Sequence, residues 1–298
     1  MKRRLFLIIV RLFRLTTKVV KSTGLQRFSL IQRLYHFFFS LLPQDYAIPI
    51  EIEEGVNIIM QRSEHSFHYL GLFSGGGHEK AVANLFKDIV KEGMRIVDAG
   101  AHIGYYTLLA AKRVGKSGKV FAFEPEPYGY SLLSKNIELN QFDNVVLVRK
   151  AISDKEGTAK LWLPLCREAA SIFASRDADG STLVETITLD EFFKDNLSID
   201  VIKMDIEGAE MAALKGAREI IRKNKNLKML LEFHPLGILA SGYSPEELLR
   251  NLRRNGFRLF FIRNNGAIIG FNEPSYIMNL PDKERGSWQV VHLFLEKE

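Results

Sequence analysis

The side chains best placed to do chemistry are carboxylates and a histidine at the ends of apolar runs. Asp98 closes Ile96-Val97-Asp98 and is followed by the turn Gly100-Ala101-His102-Ile103-Gly104. Glu124 follows Val120-Phe121-Ala122-Phe123. Asp205 follows Val201-Ile202-Lys203-Met204, with Glu207 and Glu210 close behind. Glu232 lies inside the run Lys228–Phe233, and His234 lies just beyond it. An apolar strand, a glycine turn, a helix and a second strand ending in an acid can grip a nucleoside. The glycines let backbone approach the ligand, and the carboxylate accepts from the two ribose hydroxyls.

The turn chemistry narrows the ligand. A pyrophosphate loop carries Gly-x-Gly-x-x-Gly at a helix N-terminus. Here the spacing is Gly100-x-x-x-Gly104 and the preceding strand carries Asp98. A carboxylate there repels a pyrophosphate and suits an ammonium group. S-adenosyl-L-methionine has the ammonium and no phosphate, so Asp98 favours it. A Rossmann-type NAD-dependent oxidoreductase is the alternative, and a non-catalytic cofactor-binding membrane scaffold is another.

The elements that must position these groups alternate between strand and helix patterns. Val145–Val148 reads as a further strand running on towards Asp154, and helical spacing of apolar residues covers 105–114, 128–139 and 209–221. This alternation predicts an α/β fold, a Rossmann-like, mostly parallel sheet with helices on both faces. Such sheets bind ligands at the carboxyl ends of their strands, where Asp98, Glu124, Asp154, Asp205 and His234 are all expected. Ser244-Pro245-Glu246-Glu247 opens another helix, which ends at Asn255-Gly256. Phe257–Ile262 and Val290–Leu295 read as late strands, the last of them antiparallel. The turn-rich stretch 264–289 between them has Gly266 and Gly270 flanking a short hairpin.

Residues 75–262 resemble the FkbM family of S-adenosylmethionine-dependent methyltransferases. The likeness rests on Val97-Asp-Ala-Gly-Ala-His-Ile-Gly-Tyr-Tyr-Thr107, Phe123-Glu-Pro-Glu-Pro127, Thr188-Leu-Asp190, Ile202-Lys-Met-Asp-Ile-Glu-Gly-Ala-Glu210 and Leu231-Glu-Phe-His234. His102 stands where the family often has Asn. The resemblance implies a class I methyltransferase sheet and places Asp98, Gly100, His102, Gly104 and Glu124 at the cofactor. It implies methyl transfer, typically to oxygen, on a sugar, glycolipid or other small hydroxyl-bearing acceptor.

The residue chemistry adds roles. Asp154 is read either as a partner for the adenine amine or as a turn acid. Methylating an alcohol requires a proton acceptor, because a hydroxyl is a weak nucleophile at neutral pH. Asp205 and His234 are the candidates, with Glu207 and Glu232 beside them. The same cluster could instead bind a divalent cation, but its spacing has no metal-ligand signature and no metal is assigned. Glu207 and Glu210 are expected on one helix face, with Glu210 serving the helix dipole. Lys203, in an apolar strand, needs a carboxylate partner; Asp190 and Glu232 are the candidates. Asn136 and Asn140 are read as buttresses.

Charge is unevenly distributed. The chain has 41 basic and 35 acidic residues, yet its first 44 residues hold nine basic residues and no acid. The remainder is mildly acidic, which argues against nucleic acid as a partner of the catalytic region. Arg4, Arg11, Arg14, Lys18 and Lys21 form a stripe on a helix whose other faces carry Leu5, Ile8, Ile9, Leu12 and Leu15. The expected organisation is a basic amphipathic arm over 1–44, a small β-hairpin extension over 45–77 and a methyltransferase domain over 78–298. Residues 1–42 are expected to meet an anionic membrane surface, giving a peripheral protein on a cytoplasmic face; soluble cytoplasmic and organellar locations are the alternatives. The acceptor is then a small molecule, a glycan or a lipid-linked saccharide. One cysteine, Cys166, permits no internal disulfide and fits a reducing compartment. The stretch 164–180, with Trp162 at its base, reads as an acceptor loop or as a plain connection between paired strands.

Overall fold

The computed structural model describes residues 47–61, 79–164, 170–173, 178–281, 284 and 290–297. The amphipathic arm, the stretch 62–78 and Cys166 lie outside the described residues. No helix among those described is long and apolar enough to cross a membrane. Contacts divide the chain into one unit of residues 1–50 and 59–80 and another of residues 51–58 and 81–298.

The expected hairpin is present as β1 (Ala47–Glu53) and β2 (Val56–Gln61), a two-stranded sheet. Its tight turn requires a left-handed residue, and Gly55 supplies it at φ 73°. Within the larger unit, the amide of Asn57 donates to Asn140 Oδ1 at 2.8 Å, and Asn140 Nδ2 returns a bond to the Asn57 carbonyl at 2.6 Å. Asn136 donates to the Ile103 carbonyl at 2.8 Å. Asn136 therefore buttresses the glycine turn, while Asn140 ties β2 to α3.

The main sheet is built from β3 (Arg95–Ala99), β4 (Lys119–Phe123), β5 (Val145–Val148), β9 (Val201–Met204), β10 (Lys228–Phe233), β11 (Phe257–Ile262), β12 (Ile268–Phe271) and β13 (Val291–Lys297). Its order is β12-β11-β13-β10-β9-β3-β4-β5. The block β10-β9-β3-β4-β5 is parallel, and β13 inserts antiparallel between β10 and β11. The short hairpin expected within 264–289 is instead β11–β12, which turns at Gly266 and holds Gly270 inside β12 rather than at a flank. Helices α1 (Glu79–Ile89), α2 (Tyr105–Val114) and α3 (Pro127–Asn140) follow the expected pattern.

The pleat sends alternate side chains to opposite faces. Val97, Ala99, Ile202, Met204, Leu231 and Phe233 join one core cluster, while Ile96, Val201 and Leu230 join the other with α1 and α2. Phe121, Phe123, Phe192 and Phe193 pack edge to face on the first side, with centroids 4.7–6.1 Å apart. Truncating the fully buried Phe233 to Ala would cost about 3–5 kcal/mol.

Three expectations need correction. The stretch 145–154 is not one strand: β5 stops at Val148, and β6 (Ala151–Ile152) joins β7 (Gly157–Pro164) and β8 (Ala178–Ile187) in a separate sheet. The pattern over 209–221 is broken into α5 (Glu210–Lys215) and α6 (Arg218–Lys223). The break serves packing, because a Cβ on Gly216 would overlap the Ser153 carbonyl. Asp190, on the short α4 (Leu189–Phe192) capped by Thr188, caps α6 rather than pairing with Lys203. Its carboxylate accepts from the amides of Glu219 and Ile220 at 2.9 and 3.0 Å. Helices α7 (Pro235–Ala240), α8 (Pro245–Arg254) and α9 (Pro274–Met278) complete the described elements, with Ser244 Oγ accepting from the Glu247 amide at 3.2 Å as expected.

Candidate active site

The glycine turn gathers the first group of side chains at the carboxyl ends of β3 and β4. Asp98 is fully buried, and Thr107 Oγ1 donates to its Oδ2 at 2.6 Å. Asp98 Oδ1 is buried and accepts no hydrogen bond from the described residues. Burial raises this carboxyl above its ordinary value, against the pull of Lys203 and Thr107. Glu124 is 6% exposed; Oε2 accepts from the His102 amide at 2.7 Å and Oε1 from the Glu126 amide at 2.8 Å. Burial outweighs those bonds and lifts the Glu124 carboxyl to about 7.

Both glycines of the turn are explained inside the fold. Gly100 has φ 78°, and a Cβ there would overlap the Asp205 carbonyl oxygen. Gly104 has φ 98°, and a Cβ there would lie 2.5 Å from Leu133 Cδ1 on α3. His102 also takes a left-handed backbone, at φ 48°. Its ring is pushed down to about 4, chiefly by burial, and is therefore neutral at physiological pH. Asp154 lies on the exposed bend into β7, where Ser153 Oγ donates to its Oδ1 at 3.3 Å.

A second group occupies the ends of β9 and β10. Lys203 Nζ lies 2.9 Å from Asp205 Oδ2, so the ion-pair partner of this lysine is Asp205 and not Asp190 or Glu232, the two that were expected. Burial alone would lower the Lys203 ammonium, but Asp205 and Asp98 hold it above the ordinary lysine range. Burial would likewise raise Asp205; Lys203 and a hydrogen bond from Glu232 reverse that and hold it below the usual carboxylate range. Glu232 is raised well above its ordinary value by burial and by the neighbouring Asp205 charge. The pair therefore shares a proton, with Glu232 donating to an ionised Asp205.

Glu207 is not on a helix face with Glu210. It takes φ 51°, ahead of the first turn of α5, and aims its carboxylate sideways. Glu207 Oε2 lies 3.2 Å from His234 Nδ1. That bond raises the His234 imidazole above its ordinary value, against partial burial. Gly208 permits the arrangement, since a Cβ there would lie 2.5 Å from the Gly237 carbonyl oxygen. Glu210, 1% exposed, accepts from the Gly208 amide at 3.1 Å, and burial lifts it to about 7. Asp205, Glu207 and Glu232 place carboxylate oxygens within 4.8 Å of one another. Lys203, His234 and the shared proton already counter their charge from within the protein.

Two contributors escaped the sequence reading. His292 on β13 is in register with Glu232, and its signal was a lone histidine in a late apolar strand. Ser171, in the β7–β8 connection, donates to the Glu207 carbonyl at 2.7 Å, and Phe173 meets the Tyr243 ring edge-on at 6.4 Å. This connection, with Trp162 bonded to Ser171 at its base, thus reaches the end of β9.

A family profile described as the methyltransferase FkbM domain matches residues 98–259 of this chain. The chain belongs to the FkbM methyltransferase family. The matched domain is a methyltransferase domain, which decides against the dinucleotide alternative. The chain is 31% identical over 157 residues to methyltransferase sdnD of Sordaria araneosa, covering 42% of this chain and 60% of that protein. It is 27% identical over 144 residues to the hexuronic acid methyltransferase AglP of Haloferax volcanii, covering 46% of this chain and 56% of that protein. The chain thus spans less than two thirds of the length of these curated relatives. Among solved structures, methyltransferase FkbM from Methylobacillus flagellatus KT matches with a TM-score of 0.43 at 15% identity, covering 78% of this chain and 55% of that one.

The chemistry of the FkbM-type turn fits the cofactor. Asp98 Oδ1 is an orphaned buried acceptor, and an amino-acid ammonium is a donor. Each Glu124 oxygen accepts one amide bond and has a further lone pair for a hydroxyl.

Proposed function

We propose that this enzyme methylates a hydroxyl oxygen on a sugar, glycolipid or other small hydroxyl-bearing acceptor, with His234 as the proton acceptor. The observation that carries this reading is the His234–Glu207 pair at the end of the parallel sheet, beside the Asp205–Glu232 pair. S-adenosylmethionine, when bound, supplies the electrophilic methyl group. Glu124 holds its ribose hydroxyls and Asp98 its ammonium, while Gly100, His102 and Gly104 shape the turn around it. Asp154 is the candidate partner for the adenine amine.

On the acceptor side, Glu207 accepts a hydrogen bond from the Nδ1–H of His234, which leaves Nε2 as the basic nitrogen of the neutral ring. A histidine so oriented accepts the hydroxyl proton as the oxygen is alkylated. Asp205 stays ionised and favours positive charge on the imidazole. The relative named as a hexuronic acid methyltransferase supports a sugar acceptor. The basic, acid-free residues 1–44 support a peripheral membrane location and a lipid-linked acceptor.

The test is transfer of labelled methyl groups from S-adenosylmethionine into a lysate separated into lipid, glycan, protein and nucleic acid. Label in the glycan or lipid fraction is expected; label confined to protein or nucleic acid overturns the acceptor class. Flotation of the full chain with anionic vesicles, weakened by salt, is expected for the membrane reading, and no flotation discards it.

A further inference from the structure

One face of the central sheet carries a row of ionisable groups across four adjacent strands. Asp98 on β3 is in register with Lys203 on β9, and Asp205 follows two residues later on the same face. Leu230 on β10 is in register with Lys203, so Glu232 shares that face, and His292 on β13 is in register with Glu232. Lys203 is 7% exposed, and its Nζ lies 4.9 Å from the Tyr106 ring centroid under α2. The row thus runs from the carboxylate assigned to the cofactor to the carboxylates assigned to the acceptor, with a buried ammonium between them.

We propose that Lys203 is a positioning residue for methyl transfer: its ammonium faces Asp98 on the cofactor side and pairs with Asp205 on the acceptor side, so that one buried cation counters the charge of both carboxylates. Buried carboxylates on one face of a sheet need such a counter-charge. Removing the lysine therefore changes the field beside the transferred methyl and not only the packing under α2. Other titratable groups also face Asp205. Glu232 and His292 reach it from β10 and β13, His102 from the glycine turn, and Glu207 from the turn after β9, with a carboxylate oxygen within 4.8 Å. Glu210 from α5 and His234 beyond β10 sense its charge as well. Of these, Glu232 is in direct hydrogen-bond contact, and it holds a proton rather than a charge.

The inference rests on the roles proposed above for Asp98 and Asp205. Its test is calorimetry on the full chain between pH 6 and 8 with two probes. S-adenosylmethionine carries a sulfonium charge that S-adenosylhomocysteine lacks, so the ratio of their affinities reads the local field. In Lys203→Arg that ratio should follow the wild type within about twofold at each pH. In Lys203→Met it should depart from the wild type by about fivefold or more. A lysine serving packing alone would weaken both ligands together, and a ratio in Lys203→Met that matches the wild type at each pH overturns the proposal. Should that variant not fold, carbon-13 titration of the wild-type aspartates decides, with Asp205 assigned through Asp205→Asn. Asp205 is expected to stay ionised from pH 5 to 8, and titration inside that window overturns the proposal. Failure to label any hydroxyl acceptor would remove the acceptor reading and leave these titrations unaffected, so the two failures are distinguishable.

Discussion

His234 Nδ1 lies 3.2 Å from Glu207 Oε2, and Glu207 reaches it only because its own backbone is left-handed. The bond fixes the imidazole and favours its protonated form. Catalysis needs the neutral ring, so turnover should rise with pH through a midpoint above the ordinary histidine value of 6.5. His234→Ala should lower turnover by about 10²–10⁴-fold while cofactor affinity barely changes. Glu207→Gln should lower turnover and move the midpoint to lower pH. Rate–pH profiles on an acceptor found by label transfer check both, and a wild-type profile flat from pH 5.5 to 8 would remove His234 from the chemistry.

Glu124 faces a different demand. Its two oxygens already hold the amides of His102 and Glu126, and the proposed ribose hydroxyls would be their additional donors. Glu124→Ala should weaken S-adenosylmethionine binding by about 1.5–3 kcal/mol, the range for a hydrogen bond to a charged group. Glu124→Gln keeps one acceptor and should lose less. Calorimetry measures both; unchanged affinity in Glu124→Ala would place the ribose elsewhere.

Much of this arrangement was legible because it is local. Asp98, Glu124 and Asp205 end apolar runs, and a strand ending in an acid before a turn reads directly from sequence. The Ser244 cap and the Gly55 and Gly266 turns were legible for the same reason. What escaped depended on pairing between distant segments. β13 inserts between β10 and β11, and only that register sets His292 beside Glu232. Lys203 has its partner two residues along its own strand, because the pleat returns Asp205 to the same face. The helical spacing of Glu207 and Glu210 misled, since three residues span one helix face only where the backbone is helical. Glycine carried a similar ambiguity: Gly100 and Gly104 fit a ligand-binding turn, while their immediate neighbours are the Asp205 carbonyl and Leu133.

Those two glycines make a stability prediction. Gly100→Ala adds a Cβ onto backbone at φ 78°, whereas Gly104→Ala at φ 98° meets the end of the Leu133 side chain. Left-handed strain costs about 1–3 kcal/mol at each site. Backbone cannot yield as a side-chain tip can, so Gly100→Ala should be the more destabilising. Denaturant titration orders the two variants, and equal losses would mean that β3 and β9 separate more easily than their packing implies.

The buried carboxyls set the pH dependence of stability in the absence of cofactor. Glu124 and Glu210 rise from 4.5 to about 7 on folding, and Glu232 rises well above its ordinary value. Between those limits the folded chain binds protons that the unfolded chain has released, so stability falls as pH rises. Their contribution is full below about 4.5 and is lost through about 7. His234, raised on folding, acts in the same direction, its contribution being present below 6.5 and lost as pH climbs past its folded value. His102 opposes them: depressed from 6.5 to about 4, it costs stability as pH falls through that window. Asp205, held low, is ionised throughout and contributes no slope there. Asp98 is likewise raised by burial, so four carboxyls and one histidine outweigh one histidine, and the melting temperature should be higher at pH 5.5 than at pH 8. For a domain of this size each kcal/mol corresponds to about 2–4 °C. Glu210→Gln, which cannot ionise, should flatten the slope more than it changes the melting temperature at pH 5.5. A melting temperature that rises from pH 5.5 to 8 would mean that these carboxyls ionise in the folded protein as freely as in water.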